Sequence, residues 1–207
     1  MAVMRTVIGL LVMASALLFL LSAAGCTGTP QAQPGTPGQP ATGAAQGTAS
    51  PATAAGAFTL RVDSVSPGGT LPIEYTCSGA SESPAISWEN VPAGTKTLTL
   101  IMEDPDAPAG TFTHWIVYNI PPERNSLPRG ISAVKEISGG GQQGTNTAGN
   151  RGYQGACPPI GPKHRYVFTL YAVDYTMGLP TADRDAITTM LNDHWIEKAV
   201  VTTTFSR

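Results

Sequence analysis

Two carboxylates and a histidine lie near one another in the sequence, between two apolar runs. Asp104 and Asp106 flank a proline just after the run 97–102, and His114 opens the next run. Proline cannot donate to a strand ladder, so the acids should lie where one strand leaves a sheet and the histidine where another begins. Such groups could bind a small charged ligand or act in catalysis. On this stretch alone, the favoured interpretation is that the acids do no more than cap a turn.

A second stretch combines a glycine, a cysteine and two prolines with a downstream histidine and tyrosine. It contains Gly155-Ala156-Cys157-Pro158-Pro159, and then His164-Arg165-Tyr166-Val167-Phe168. Side chains alternate across a strand, so His164 and Tyr166 should share one face. Arg165 should point to the opposite face, where we expect it to form a structural ion pair.

Together the two stretches resemble the phosphatidylethanolamine-binding protein family, in its bacterial Raf-kinase-inhibitor-like branch. The resemblance covers about Phe58 to Arg207. The matching pieces are Asp-Pro-Asp-Ala-Pro at 104–108, His114-Trp115, Gly155-x-Cys-Pro-Pro at 155–159, the run 164–168, Tyr75-Thr76-Cys77, Ser83 to Trp88, Val91 to Thr95, and Tyr171-Ala172 followed by Asp174.

The resemblance implies a small pocket that binds phosphate-like anions and phosphoethanolamine head groups. By position, its polar members are Asp104, His114, His164 and Tyr166, and its walls are Pro108, Trp115, Gly155, Pro158 and Pro159. A histidine buried beside an anion can hold a proton and donate it. We expect the N–H groups of Gly155 and Ala156 to point inward, Asp104 to suit an ammonium group, and Asp106 to stabilise the loop. Ala156 stands where bacterial members usually have proline.

Two other chemistries use the same residues. Imidazole and carboxylate groups are common metal ligands, but no spacing typical of a metal site occurs, so we expect neither a metal nor a cofactor. A weak hydrolase could use Asp104, His114 and His164, or a thiol at Cys157. No Gly-x-Ser-x-Gly motif is present, and a binding protein rather than an enzyme is favoured. A further alternative, given by the resemblance, is an inhibitor of a protein such as a protease, acting through the pocket rim.

The N-terminus indicates export. Residues 1–25 form a signal peptide with Arg5 in its basic region, an apolar run over 7–21, and small residues before Cys26. We interpret this as a lipoprotein signal that leaves Cys26 as a lipidated N-terminus on an extracytoplasmic protein. Ordinary cleavage, giving a secreted protein, and retention as a membrane anchor are the alternatives.

Residues 26–56 should form a disordered tether, and residues 57–207 the folded domain. The tether has no charged, aromatic or large aliphatic residue, so it cannot bury enough apolar surface to offset its ordering entropy. The chain of 207 residues has a formal net charge of -2 and only 13% charged residues. A net charge this small excludes binding to nucleic acid or to an anionic membrane surface by overall electrostatic attraction.

The remaining cysteines form an even pair. With Cys26 lipidated in an exported protein, Cys77 and Cys157 are candidates for a disulfide that closes a loop of about 80 residues and holds the Gly155–Pro159 wall.

Short alternating runs separated by glycine and proline predict a mainly β fold. Expected strands lie near Phe58–Val62, Ile73–Cys77, Ala85–Trp88, 97–102, 115–120, 166–173 and 200–205. One helix, capped by Thr181, should bury Ile187, Met190, Leu191, His194 and Trp195, with His194 a hydrogen-bonded core residue. The resemblance implies a Greek-key β-sandwich of antiparallel strands with a few peripheral helices.

Overall fold

The structure, a computed structural model, describes residues 56–192 and 194–207. The predicted signal peptide, Cys26 and all of the predicted tether except Gly56 lie outside the described residues. Within the described part of the chain, no helix is both long enough and apolar enough to cross a membrane.

In the described part of the chain, eight antiparallel strands form two sheets. In chain order they are β1 (Thr59–Val62), β2 (Ile86–Glu89), β3 (Thr97–Asp104), β4 (Phe112–Ile120), β5 (Ser126–Leu127), β6 (Gln142–Gln143), β7 (His164–Val173) and β8 (Trp195–Phe205). The small sheet has the order β1-β2-β5, and the large sheet has the order β6-β4-β3-β7-β8. The predicted mainly β sandwich is confirmed, and the strand order is consistent with the Greek-key arrangement.

The inner faces of the two sheets bury the main core. Along β7 every second residue is buried, so Tyr166, Phe168 and Leu170 all point inward. They pack in one cluster with Leu60 of β1 and Trp88 of β2. This period of two is the pattern that the sequence displays, because successive side chains in a strand point to opposite faces.

The outer face of the large sheet is covered by the helix α1 (Arg184–Leu191). Ile187 and Leu191 pack against Ile101 and Ile116 in a second apolar cluster. The carboxylate of Asp183 accepts a hydrogen bond from the Ala186 N–H at 2.9 Å and so caps the helix. Because β3 has apolar layers on both faces, all of its residues from Thr97 to Met102 are buried. β3 lies at the centre of the large sheet, and Asp104 is its last residue. The buried strand therefore holds Asp104 at one end of the sheet.

The helix differs from the sequence expectation at both ends. It is capped by Asp183 instead of Thr181, and it ends at Leu191. Trp195 is the first residue of β8, pairs with Val173, and is 45% exposed. His194 is exposed and contacts the ring of Tyr175, so its prediction as a core residue is wrong. Pairing with β7 begins at Trp195, so β8 starts earlier in the chain than the sequence predicts. This pairing outweighed the helical spacing of the apolar residues.

The predicted strand at Ile73–Cys77 is also wrong. Ile73–Tyr75 forms a short 3-10 helix, and only Thr76 makes a bridge, parallel to Ala156. The Thr76 hydroxyl donates to the Ile73 carbonyl at 2.8 Å, which stabilises the tight turn locally. The run has strand-forming residues but no neighbouring strand to pair with.

The expected disulfide between Cys77 and Cys157 is present. Their Cα atoms lie 5.3 Å apart, and the bond joins residues separated by 80 positions. Beside it, the Cys77 N–H donates to the Ala156 carbonyl at 3.0 Å. A covalent bond and a backbone hydrogen bond thus hold segment 155–159 against the 3-10 turn.

Removing this bond should lower the free energy of unfolding. For a loop of this length, the chain-entropy model gives a loss of about 4 to 5 kcal/mol in the double variant Cys77→Ser, Cys157→Ser. Urea unfolding of residues 56–207, followed by circular dichroism, measures the difference. Wild type and the double variant are compared under oxidising conditions, and wild type with its disulfide reduced serves as the matched control. A loss below about 1 kcal/mol would contradict a role of the bond in stability.

Candidate functional site

A small cavity of about 160 Å³ lies at the ends of the central strands. The end of β3, the start of β4, the start of β7 and the segment 154–159 surround it. Its lining combines three polar groups that can ionise with prolines and an aromatic ring. The lining residues are Asp104, Ala107, Pro108, Phe112, His114, Gln154, Cys157, Pro158, Pro159 and His164.

Asp104 and His164 form a buried pair. The Nδ1 atom of His164 lies 2.7 Å from Oδ2 of Asp104, and the two side chains are only 7% and 5% exposed. The other carboxylate oxygen of Asp104 accepts the Asp106 N–H at 2.9 Å, in an Asx-type turn. Both Asp104 oxygens are therefore engaged, and Nε2 of His164 remains as its free ring nitrogen.

His114 owes its position to an irregularity in β4. Met102 pairs with Trp115 and Glu103 pairs with Thr113, so His114 is the extra residue between two register positions. A β-bulge of this kind bends the strand and redirects a side chain, often beside functional sites. Here the bulged residue is buried and lines the cavity together with Asp104.

His114 and Gln154 bind each other through two hydrogen bonds. The Gln154 N–H donates to the His114 carbonyl at 3.0 Å, and Nδ1 of His114 lies 2.8 Å from the Gln154 carbonyl. A carbonyl only accepts, so Nδ1 carries the hydrogen, and Nε2 is the nitrogen left for a ligand. Burial lowers the pKa of His114 below its ordinary value, against the opposing effects of the Gln154 carbonyl and Asp104. The imidazole is therefore neutral at pH 7 in the ligand-free protein.

Two buried polar atoms near the cavity lack hydrogen-bond partners among the described residues. They are Oε1 of Gln154 and the hydroxyl of Tyr166. The Tyr166 ring contacts His114 edge-on, with centroids 5.3 Å apart. Burial raises the pKa of the Tyr166 hydroxyl, and the negative charge of Asp104 raises it further. Unpaired buried polar atoms are costly, and Gln154, which carries one of them, lines the cavity.

Asp106 stabilises the loop, as expected from the sequence. Arg165 donates to it from its backbone N–H at 2.8 Å, from Nε at 2.9 Å and from a terminal nitrogen at 2.6 Å. The side-chain hydrogen bond from Arg165 is the main cause that lowers the pKa of Asp106 to about 2. The predicted ion pair of Arg165 is thus present. It ties the loop after β3 to the start of β7, next to the Asp104–His164 pair.

Six of the nine sequence-predicted pocket residues line the cavity, and three do not. Trp115 is a core residue whose indole N–H donates to Gln143 at 2.9 Å. Tyr166 lies behind His114 in the same core. A Cβ at Gly155 would lie 2.3 Å from the Ser81 hydroxyl oxygen, so this glycine permits close packing instead of forming a wall.

The expectation that backbone N–H groups of the glycine segment point into the pocket is wrong. The Gly155 N–H donates to the Ser81 hydroxyl at 3.0 Å, and the Ala156 N–H reaches the Tyr75 carbonyl at 3.4 Å. The N–H that alanine gains over proline therefore joins the protein's own backbone network. These two N–H groups are therefore not available to a ligand.

Three lining residues were missed from the sequence. Phe112 shares the cavity side of β4 with His114, and their ring centroids lie 4.7 Å apart. A period of two from His114 would have identified it. Ala107 and Gln154 are neighbours of predicted residues, and nothing in their types marks them. Cys157, named from the sequence as a disulfide or thiol residue, also lines the cavity.

A larger groove of about 720 Å³ lies against β1, β2 and β5, away from these histidines. It contains neither a histidine nor a buried carboxylate, so the smaller cavity is the chemically equipped one.

In residues 56–192 and 194–207, no three histidine, cysteine, aspartate or glutamate side chains are arranged to hold one metal ion.

An antiparallel β-sandwich with a small polar cavity at the ends of its strands defines a class of ligand-binding domains. The family profile described as phosphatidylethanolamine-binding protein matches residues 61–206, and the chain belongs to this family.

Known relatives agree with this assignment. The UPF0098 protein of Aquifex aeolicus is 44% identical over 68% of this chain and 83% of its own length. A Mycobacterium tuberculosis protein named "Putative lipoprotein LppC" is 37% identical over 63% of this chain and 62% of its own length. The crystal structure of the phosphatidylethanolamine-binding protein homolog CT736 from Chlamydia trachomatis matches with a TM-score of 0.66 and 36% identity. That match covers 73% of this chain and 98% of CT736.

The lowered pKa of His114 predicts a loss of stability in mild acid. The unfolded chain binds a proton near pH 6.5, but the folded protein resists protonation, so the unfolded state binds more protons in this range. The stability that neutral His114 contributes is full above about pH 6.5 and falls as the pH drops toward its folded-state pKa. Urea unfolding from pH 8 to pH 5, compared between wild type and His114→Gln, isolates this contribution.

Histidine NMR provides an independent readout, because the chain contains only three histidines. The Hε1 signal of His114 should titrate with a midpoint below about 6.5. A midpoint at or above that value, or identical pH dependence of wild type and His114→Gln, would contradict the prediction.

Proposed function

We propose that the domain binds a small phosphate-type anion or a phosphoethanolamine-type head group in the cavity. The observation that carries this proposal is the convergence of His114 and the Asp104–His164 pair on one cavity between Pro108 and Pro158. Buried ionisable groups with a perturbed pKa in a cleft are typical of functional sites.

The size of the cavity limits the ligand. Pockets for drug-sized ligands enclose about 300–1,000 Å³. At about 160 Å³, this cavity has room for a phosphate with a short substituent, but not for acyl chains. A lipid ligand would therefore leave its chains outside and insert only its head group.

The two free ring nitrogens supply the anion contacts. With Nδ1 occupied in both rings, Nε2 of His114 and Nε2 of His164 are available to a ligand. An anion beside His114 favours the imidazolium form, so binding should be coupled to uptake of a proton. Anion affinity should consequently rise as the pH falls.

The acceptors of the cavity suit the other end of a zwitterion. Asp104 contributes a carboxylate, and Oε1 of Gln154 is an acceptor without a partner among the described residues. An ammonium group can donate to both, whereas a trimethylammonium group has no N–H to donate. Phosphoethanolamine should therefore bind more tightly than phosphocholine.

The rival catalytic mechanism through a thiol lacks its nucleophile. Cys157 is bonded to Cys77, so no thiolate is available at the cavity while the disulfide is intact. The relatives reported above carry no enzymatic name.

Ligand binding can be tested by thermal shift with phosphate, phosphoethanolamine and phosphocholine on residues 56–207. A ligand that binds only the folded state stabilises it by RT ln(1 + [L]/Kd), so the shift should grow with concentration. We expect His164→Gln to weaken binding by about tenfold, because it removes the ring nitrogen Nε2 proposed to contact the ligand but keeps a side-chain amide beside Asp104.

His194→Gln is the matched control, since His194 is exposed and does not line the cavity. It should bind as wild type does. Equal shifts in all three proteins would place the ligand elsewhere, and no shift in wild type with any of the three compounds would refute the proposal.

We also propose that the domain is held outside the cytoplasm by a lipid on Cys26. The sequence pattern of residues 1–26 supports this, as does the name of the Mycobacterium tuberculosis relative. Cells that express the full chain should incorporate labelled palmitate into it, and Cys26→Ser should abolish the label. Cys77→Ser is the control that should retain it. Label that persists in Cys26→Ser would overturn the proposal.

A further inference from the structure

One cationic side chain contacts the wall of the cavity without lining it. Nε of Arg207 donates to the carbonyl of Pro158 at 2.7 Å, and Pro158 is one of the three prolines that line the cavity. The strand register explains this contact. Phe205, the last residue of β8, pairs with His164, so Arg207 lies two positions beyond the strand at the same end of the sheet.

The cavity itself has no permanent positive charge. Among the described residues, its lining includes neither lysine nor arginine. While the Asp104 carboxylate is ionised, the Asp104–His164 pair has a net charge of zero if the imidazole carries two protons and of minus one if it carries one. His114 is neutral above its lowered pKa. An anion that binds at neutral pH therefore needs a cation from outside the lining, or a proton.

The nearby arginines differ in how far they are already neutralised. The guanidinium of Arg165 is bound to Asp106 by two side-chain hydrogen bonds. The guanidinium of Arg207 has no carboxylate of the described residues within 4.0 Å. A guanidinium has five N–H groups in a planar fork, so the contact through Nε leaves its two terminal nitrogens available.

We propose that Arg207 determines the anion affinity of the cavity, by holding Pro158 through Nε and binding the anionic part of the ligand through its terminal nitrogens. This inference rests on the proposed function. It assigns the ligand one bidentate cationic contact at the mouth of the cavity, in addition to the two histidines inside. Arginine suits this role because its fork matches the oxygens of a phosphate-type group.

The charge of Arg207 already acts on the interior. It lowers the pKa of Tyr166, in opposition to the larger effects of burial and Asp104. The field of the guanidinium therefore reaches Tyr166, the core residue whose ring contacts His114.

The proposal predicts a specific dependence on pH. In wild type, Arg207 supports anion binding even where His114 is neutral. Without Arg207, binding must wait until His114 is protonated, so affinity should fall most above the pKa of His114. A role of Arg207 in wall packing alone would instead weaken binding equally at every pH.

Sulfate is the appropriate probe because it stays a dianion throughout this range. Its affinity can be measured by NMR titration of residues 56–207 at constant ionic strength, at about pH 8 and at a pH below the His114 midpoint that the histidine NMR titration measures. Arg207→Gln should lose about tenfold at the higher pH and clearly less at the lower pH. Arg207→Lys should recover part of the loss, since lysine restores the charge but lacks the fork.

Arg61→Gln is the matched control, because Arg61 is an exposed arginine of β1 in the small sheet. His114 and His164 belong to the large sheet. The control variant should change sulfate affinity little at either pH. Backbone amide spectra verify that each variant is folded.

The outcomes separate the inference from the proposed function. No saturable binding of sulfate or phosphate to wild type refutes the proposed function. Wild-type binding that Arg207→Gln leaves intact, or weakens no more than Arg61→Gln does, overturns only the role of Arg207. An equal loss at both pH values, not restored by lysine, also overturns it and shows that the residue acts through Pro158 alone.

Discussion

The hydrogen bond between Asp104 and His164 is the interaction on which the site depends. It joins the end of β3 to the start of β7 with two side chains that are almost fully buried. Removing one partner would leave the other buried with an unmet hydrogen bond, which costs more than the bond itself contributes. The adjacent pair of Asp106 and Arg165 fixes the same two chain segments from the exposed side. Two adjacent side-chain pairs therefore join the end of β3 to the start of β7 beside the cavity.

The sequence predicted which of these side chains face the cavity end of the sheet, because proline and strand alternation constrain where they can lie. The Asp-Pro-Asp motif must end a strand, and the alternation from His164 puts Tyr166 inward and Arg165 outward, as the structure has them. The pairing of Asp104 with His164 joins residues 60 positions apart, and a local sequence pattern cannot show such a contact. The family resemblance supplied it.

The errors arose where a neighbour in space decided the outcome. Trp195 continues a helical apolar spacing, but ladder pairing with Val173 makes it a strand residue. Gly155 suggests an anion-binding backbone, but its N–H is taken by Ser81, a residue that no motif connects to it. Likewise, the protonation state of His114 depends on burial, which spacing does not reveal.

The bulge at His114 means that the site is encoded by the number of residues as well as by their types. Between Met102–Trp115 and Glu103–Thr113, β4 has one residue more than β3. Deleting that one position would restore regular pairing and turn the following side chains to the opposite face, although every other residue would keep its identity. A relative that shared all the pocket residue types but had one residue fewer within the strand segment Phe112–Val117 would therefore present a different surface to the ligand. Sequence comparisons across this family should count the residues within this strand, where a gap cannot be absorbed as it can in the preceding loop.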